Sequence, residues 1–163
     1  MFRLSRNQLI VSFFLLAVSI LLSAHIFYLV DQYAPTIYFW DRWHTMEPAF
    51  YHLGFWESVS YQHGQHRLGL IAYIFKINAW LSNFNGRADM FLQAGIYVLS
   101  VVLATNLKLR LFHKLSVSDL IIPLIFLTPA AAETFTGSPF VHGLIPFMAI
   151  LLCHLYLLKS TLW

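Results

Sequence analysis

An all-α polytopic membrane protein with about four transmembrane helices is the fold class this sequence predicts, on three observations. Of its 163 residues 59% are hydrophobic and 10% charged, with a mean hydropathy of +0.67, whereas soluble domains carry about 25% charged residues. The apolar residues gather into long runs, and basic and acidic residues fall at opposite ends of those runs. The same composition excludes two function classes. A net charge of +3 and a pI near 9.1 would point to nucleic acid in a soluble protein, but in an apolar chain they read as topology signals, so no nucleic acid is expected. The single cysteine, Cys153, lies in an apolar run, which leaves neither a disulfide framework nor a cysteine metal site.

The elements follow in order. The first run, Leu9 to Val30 (span 9–30), contains no ionisable residue except His25 and follows the basic flank Met-Phe-Arg-Leu-Ser-Arg6. Its length of about twenty residues matches a hydrocarbon core of about 30 Å. Leu22-Ser-Ala24 is a weak cleavage site, yet the run exceeds a signal-peptide core of roughly 7 to 15 residues, so a retained anchor is expected. An outer loop, 31–67, comes next. Within it Thr45 suits an N-cap, Pro48 a first turn, and Phe50, Leu53 and Trp56 recur at helical spacing, which predicts one amphipathic helix over 46–60 along the membrane surface. Tyr38, Phe39, Trp40, Trp43, Trp56 and Tyr61 suit the headgroup level.

Residues 68–82 predict an interfacial or re-entrant helix, because the apolar stretch is short, holds Lys76 and Asn78, and ends in the turn signal Asn83-Phe-Asn-Gly86. Lys76 is expected to snorkel. Three further spans are predicted at 90–107, 119–133 and 141–158; Pro123, Pro129 and Pro146 are tolerable where neighbouring helices satisfy the freed carbonyls. His25, His142 and His154 are expected to make interhelical hydrogen bonds. With the N-terminus inside, Arg3, Arg6, Lys108, Arg110, Lys114 and Lys159 are cytoplasmic, and Asp31, Asp41, Glu47, Glu57, Asp89 and Glu133 lie outside. This is a positive-inside pattern, with both termini cytoplasmic and the polar loop facing outward. No repeat, low-complexity tract or linker divides the chain, so residues 1–163 read as one membrane domain.

The chemistry is concentrated in the outer loop. Asp41, in Trp40-Asp-Arg-Trp43, is a candidate general base at the interface, where aromatic neighbours restrict water; an ion pair with Arg42 or another arginine is the competing role. In Gln62-His-Gly-Gln-His-Arg67, His63 and His66 are spaced to share one side of a helix. With His44 or His52 they could ligate zinc or another divalent metal, but the motif holds no carboxylate or cysteine. Phosphate binding by Arg67 and a histidine is favoured instead, since a guanidinium fork matches phosphate oxygens. No cofactor is predicted. Glu133, at the end of a span on the outer side, could hydrogen-bond sugar hydroxyls or pair with Arg67.

These motifs carry a resemblance. An aromatic-Asp-x-Trp sequence after the first span, then Gln-His-x-x-His-Arg before the next apolar segment, then Thr128-Pro129 to Glu133, is similar to the N-terminal part of bacterial multispan proteins of the GT-C glycosyltransferase superfamily. There the motifs often read Asp-Asp-Trp and Gln-His-Asn-Glu-His-Arg. Neither Trp40 nor Arg42 supplies the second acid of the Asp-Asp pair, and Gln65 stands where the pattern has Glu. The resemblance covers roughly residues 36 to 150. It implies inverting sugar transfer from a polyprenyl-phosphate donor on the outer face of the bacterial inner membrane, with Asp41 as general base and His66 and Arg67 on the donor phosphate. Such enzymes generally carry more spans, so the chain is expected to be part of one. The alternative is a noncatalytic small subunit of a larger membrane complex, with membrane-protein partners.

Overall fold

The computed structural model describes residues 6–38, 42–64, 66, 67, 69–129 and 141–160, with backbone only for 63, 66, 141–144, 159 and 160. The described chain is helical apart from one two-residue hairpin. Helix α1 (Arg6–Tyr33) runs 28 residues without proline or glycine, about 42 Å at 1.5 Å per residue. Within it the Ser19 hydroxyl donates back to the Leu15 carbonyl at 2.8 Å. The Ala34 N–H still reaches Val30 at 3.0 Å, but Ala34 precedes Pro35, whose ring disfavours helical geometry there, and the helix ends.

The region expected to be one amphipathic helix over 46–60 is broken into α2 (Arg42–Thr45), α3 (Glu47–Phe50) and α4 (Phe55–Ser60). His52 takes a left-handed φ of 53° between α3 and α4, which no continuous helix accommodates. Thr45 does not cap α3; its hydroxyl donates to the Arg42 carbonyl at 2.9 Å. Helix α4 begins where the Glu57 carboxylate accepts from the Gly54 N–H at 2.8 Å. The stretch whose histidine spacing could suit a helix face instead forms an antiparallel hairpin of β1 (Gln62–His63) and β2 (His66–Arg67), which pairs Gln62 with Arg67 and His63 with His66. Gly64, at φ 57°, supplies the left-handed turn residue.

Helix α5 (Leu70–Leu81) and helix α6 (Gly86–Phe112) make a hairpin. Asn83 and Phe84 are both left-handed in the turn between them, and Phe84 is held by its N–H to the Ala79 carbonyl at 2.6 Å and by its ring stacking on Phe50 at 5.2 Å. The Asn85 side chain caps α6 by accepting from the Arg87 N–H. At the far end His113, at φ 56°, is the left-handed C-cap. A 3-10 turn (Val117–Leu120) leads into α7 (Ile121–Phe126), which stops at Leu127. Helix α8 (Val141–Ser160) closes the described chain.

Helix α6 is the centre of the molecule. On one side Met90, Ala94, Tyr97 and Val101 pack with Ile26, Val30 and Ala34 of the α1 end and with Leu127. Phe27 stacks on Phe91 at 6.0 Å and Arg87 Nε donates to the Ala34 carbonyl at 3.0 Å, so α1 and α6 are antiparallel. On the other side Leu92 and Ile96 join Phe147 and Met148 of α8 over a core of Tyr38, Met46, Ala49, Ile71, Phe75 and Ala79. His154 Nε2 meets the Leu103 carbonyl at 2.8 Å, so α8 runs parallel to α6, and this histidine makes the interhelical bond expected of it. His25, by contrast, is exposed on α1.

Two helices, α1 and α6, are long and apolar enough to cross a membrane. In α1 only 11% of the most apolar stretch is buried within the protein, and Phe13, Leu16, Ile20 and Leu21 stand on its outside. Among the described residues nothing covers this face, and an apolar surface of that kind suits contact with lipid or another chain. The predicted spans 9–30, 90–107 and 141–158 lie within α1, α6 and α8. The predicted span 119–133 overlaps the shorter helical stretch Val117–Phe126, and residues 130–140 lie outside the described residues.

The end of α6 farthest from the outer loop is fastened by Asp119. Its carboxylate accepts from the Ser116 N–H at 2.8 Å and the Ser116 hydroxyl at 3.0 Å, and pairs with Lys108 Nζ at 3.3 Å. Burial raises the Asp119 pKa, but the two Ser116 donors and Lys108 together outweigh it and hold the carboxyl below its ordinary value. A depressed folded-state pKa means stability that is present above the unfolded value and lost as pH falls through the folded one. We expect the thermal midpoint of the detergent-purified chain to drop on acidification below about pH 4, and Asp119→Asn to flatten that dependence while costing about 1 kcal/mol at neutral pH through the lost cap. A wild-type acid limb unchanged in the variant would contradict this.

Candidate functional site

The ionisable residues of the outer loop do not all stay on the surface. Helices α2 and α3 lay Tyr38, Met46, Pro48 and Ala49 against α5 and the start of α6, and this packing carries Arg42 inward until 2% of it is exposed. Its Nη2 donates to the Gly86 carbonyl at 2.7 Å and lies 3.6 Å from Asp89 Oδ2. Asp89 is fully buried in the first turn of α6, where the helix dipole favours an anion. Its other oxygen accepts from Asn78 Nδ2 at 2.6 Å. The guanidinium also lies over the Tyr38 ring, 5.4 Å from its centroid. One cluster thus ties the outer loop, α5 and α6 together.

Tyr38 and Arg42 both bear on the Asp89 carboxylate. Among the described residues Arg42 Nε and Nη1 are buried without a hydrogen-bond partner, and each such group costs about 1–3 kcal/mol. Burial, and then the neighbouring carboxylate of Asp89, push the Tyr38 phenol well above its ordinary pKa against the opposing pull of Arg42. Tyr38 therefore keeps its proton and can donate at neutral pH. Burial lowers the Arg42 pKa, partly offset by Asp89 and Tyr38; a guanidinium stays protonated regardless.

Two further polar groups flank this centre. Glu47 accepts from the Tyr61 hydroxyl and meets His44 Nδ1 at 2.8 Å. Lys76, expected to snorkel, is buried: its ammonium donates to the Leu53 carbonyl and sits 4.5 Å from the Trp80 ring centroid and 5.8 Å from that of Tyr73. The turn between α3 and α4 closes over it, so the head is satisfied by a backbone oxygen and aromatic faces instead of water.

Of the residues the sequence nominates, Asp41 and Glu133 lie outside the described residues. His63 and His66 face one another across the hairpin as backbone partners, which replaces the expected shared helix face. Arg67 is exposed and joins no ion pair among the described residues. No group of three or more histidine, cysteine or acidic side chains that could hold a metal occurs among the described residues. The sequence reading named Tyr38, Asn78 and Asp89 only as an interfacial aromatic, a polar residue of a short helix and an outer acid, and not as members of one cluster. The available signal was an acid at the mouth of one apolar run and an amide inside the neighbouring one, since polar groups in such segments need partners. No protein-family model, curated protein or solved structure matches the chain.

Proposed function

We propose that the chain is part of a GT-C-like membrane glycosyltransferase that uses a polyprenyl-phosphate-linked sugar at the end of the protein where α1 leaves and α6 enters. The observation that carries this reading is the buried Arg42–Asp89 pair, whose arginine directly follows Asp41 in sequence and keeps two guanidinium nitrogens unpartnered. Polar groups held dry at such a place are costly unless they serve a ligand. In the reaction Asp41 accepts the proton of the acceptor hydroxyl, whose oxygen bonds the anomeric carbon as the bond from that carbon to the phosphate oxygen breaks. The polyprenyl phosphate leaves with its charge held by Arg67 and a histidine, His63 or His66, and the anomeric configuration inverts. Glu133 would contact sugar hydroxyls.

The two ends of α6 support a membrane placement. Asp89, paired with Arg42, and Lys108, paired with Asp119, are nineteen residues apart, about 28 Å of helix, close to the hydrocarbon thickness of about 30 Å. Exposed Arg110 and Lys114 lie beyond Lys108, which supports the reading that this end, and with it both termini, faces the cytoplasm of a bacterial inner membrane.

The direct test is sugar transfer from a polyprenyl-phosphate donor by the chain reconstituted in vesicles, alone and with its co-purifying proteins. Asp41→Asn is expected to lower the rate by about 10²–10⁴-fold, the contribution of a general base; undiminished activity would remove Asp41 from the mechanism. A second reading is a noncatalytic membrane subunit. It is favoured by the way Arg42 and Asp89 pin three segments together, which a structural role also explains. A stable monomer in mild detergent with measurable transfer would exclude it.

A further inference from the structure

Helix α1 carries a second regularity besides the face that packs inward. Phe14, Val18, Leu21, His25, Tyr28 and Gln32 follow one another at steps of four, three, four, three and four residues, the spacing of a helix seam that meets a parallel partner. At 3.6 residues per turn this seam lies about a third of a turn from the buried residues Leu15, Ile26 and Val30. Val18 is half-buried and the other five seam residues are exposed.

Lipid alone covers this seam poorly because of His25. The residue stands five positions before Val30, about 7.5 Å inside the apolar run at 1.5 Å per residue. Among the described residues no hydrogen bond or ion pair holds its ring. Helix side chains lean toward the N-terminus, which for His25 is away from the nearer end of the run, so the imidazole does not reach the headgroups as a long terminal side chain does by snorkelling. An ionisable ring among acyl chains is costly, and such groups face protein.

The chemistry of the seam selects a second copy of this chain. Two copies in one membrane share an orientation, so across a two-fold axis their α1 helices are parallel and residues of the same number meet. Neutral imidazole, phenol and carboxamide each hold a donor and an acceptor, so His25, Tyr28 and Gln32 are each complementary to themselves. No Asp, Glu, Lys or Arg falls on the seam, which leaves no like charges to repel. A polar side chain within an apolar seam also sets the register of parallel helices.

We infer that α1 pairs with α1 of a second copy along Phe14, Leu21 and Tyr28, with the two His25 rings hydrogen-bonded to each other within the bilayer. The inference rests on the membrane placement of α1 and is independent of sugar transfer.

The test is oxidative crosslinking of the full chain in native membranes, in a Cys153→Ser background that removes the single cysteine. Leu21→Cys is expected to give a disulfide-linked dimer, and Leu16→Cys, exposed on the side of α1 away from the seam, to give far less of it. In vesicles holding donor- and acceptor-labelled chain, energy transfer is expected to show association weakened by about three- to tenfold in His25→Leu, the worth of an interhelical hydrogen bond. His25→Asn, which keeps a donor and an acceptor, is expected to retain most of it. Equal crosslinking at positions 21 and 16, a Leu21→Cys chain that links only to a different protein, or a His25→Leu variant that associates as wild type does would overturn the pairing. If the crosslinks fail while the chain stays in the membrane through alkaline carbonate, the pairing alone is overturned; release by that treatment sinks the membrane placement and the pairing together.

Discussion

Arg42→Leu is expected to destabilise the protein by about 3–5 kcal/mol, because it strands a fully buried carboxylate. Asp89 keeps the Asn78 amide but loses its counter-charge, and the Gly86 carbonyl loses a 2.7 Å donor. The measurement is the unfolding midpoint in detergent, by heat or by titration with a denaturing detergent. A double variant, Arg42→Leu with Asp89→Leu, is expected to recover most of the loss, since exchanging a buried ion pair for apolar residues of similar bulk is often neutral or better. Non-additivity of this size is what contact between the two side chains requires. If the two single costs simply add, the pair does not interact as its geometry states.

Gly86→Ala is the second large effect, and its sign runs against helix propensity. Alanine inside a helix normally gains roughly 0.5–1 kcal/mol over glycine. A Cβ on Gly86, however, would come within 3.2 Å of the Pro35 carbonyl oxygen, 3.3 Å of that of Thr36 and 3.4 Å of the Ile37 carbonyl carbon. These are backbone atoms, fixed by the Gly86 N–H donating to Thr36 at 2.8 Å and by Arg87 holding the Ala34 carbonyl. Relief therefore requires moving the exit strap of α1 away from α6, at about 1–3 kcal/mol, the usual range for overpacking, and it shifts the carbonyl that holds Arg42. Gly95 is the control in the same helix: nothing lies within 4 Å of its added Cβ, so Gly95→Ala is expected to stabilise slightly. Equal effects at the two sites would show that the strap does not pack as described.

Much of the helical framework was legible in the sequence. The runs at 9–30, 90–107 and 141–158 fall within α1, α6 and α8 because uninterrupted apolar residues favour helix, and the turn signal Asn83-Phe-Asn-Gly86 marked the start of α6. The outer loop was misread where local signals were balanced. Helical spacing of Phe50, Leu53 and Trp56 gave way to the left-handed turn at His52, which lets α3 and α4 fold over Lys76. The spacing of His63 and His66 fits a helix face and a two-residue hairpin equally well, and Gly64 in a left-handed turn decided for the hairpin.

The sequence by itself determined that the chain is helical, that α1 and α6 are apolar enough to cross a membrane, and that its ionisable residues collect at the helix ends. These follow from the transfer energies and backbone preferences of single residues and short runs, which are local quantities. Only the tertiary structure decided which charges are buried. Arg42 reaches Gly86 across 44 residues, and it is buried because the strap after α1 bonds to the first turn of α6 and sets the Tyr38 ring beside the guanidinium. That partnership depends on packing between distant segments, so no stretch of the sequence around Arg42 contains it.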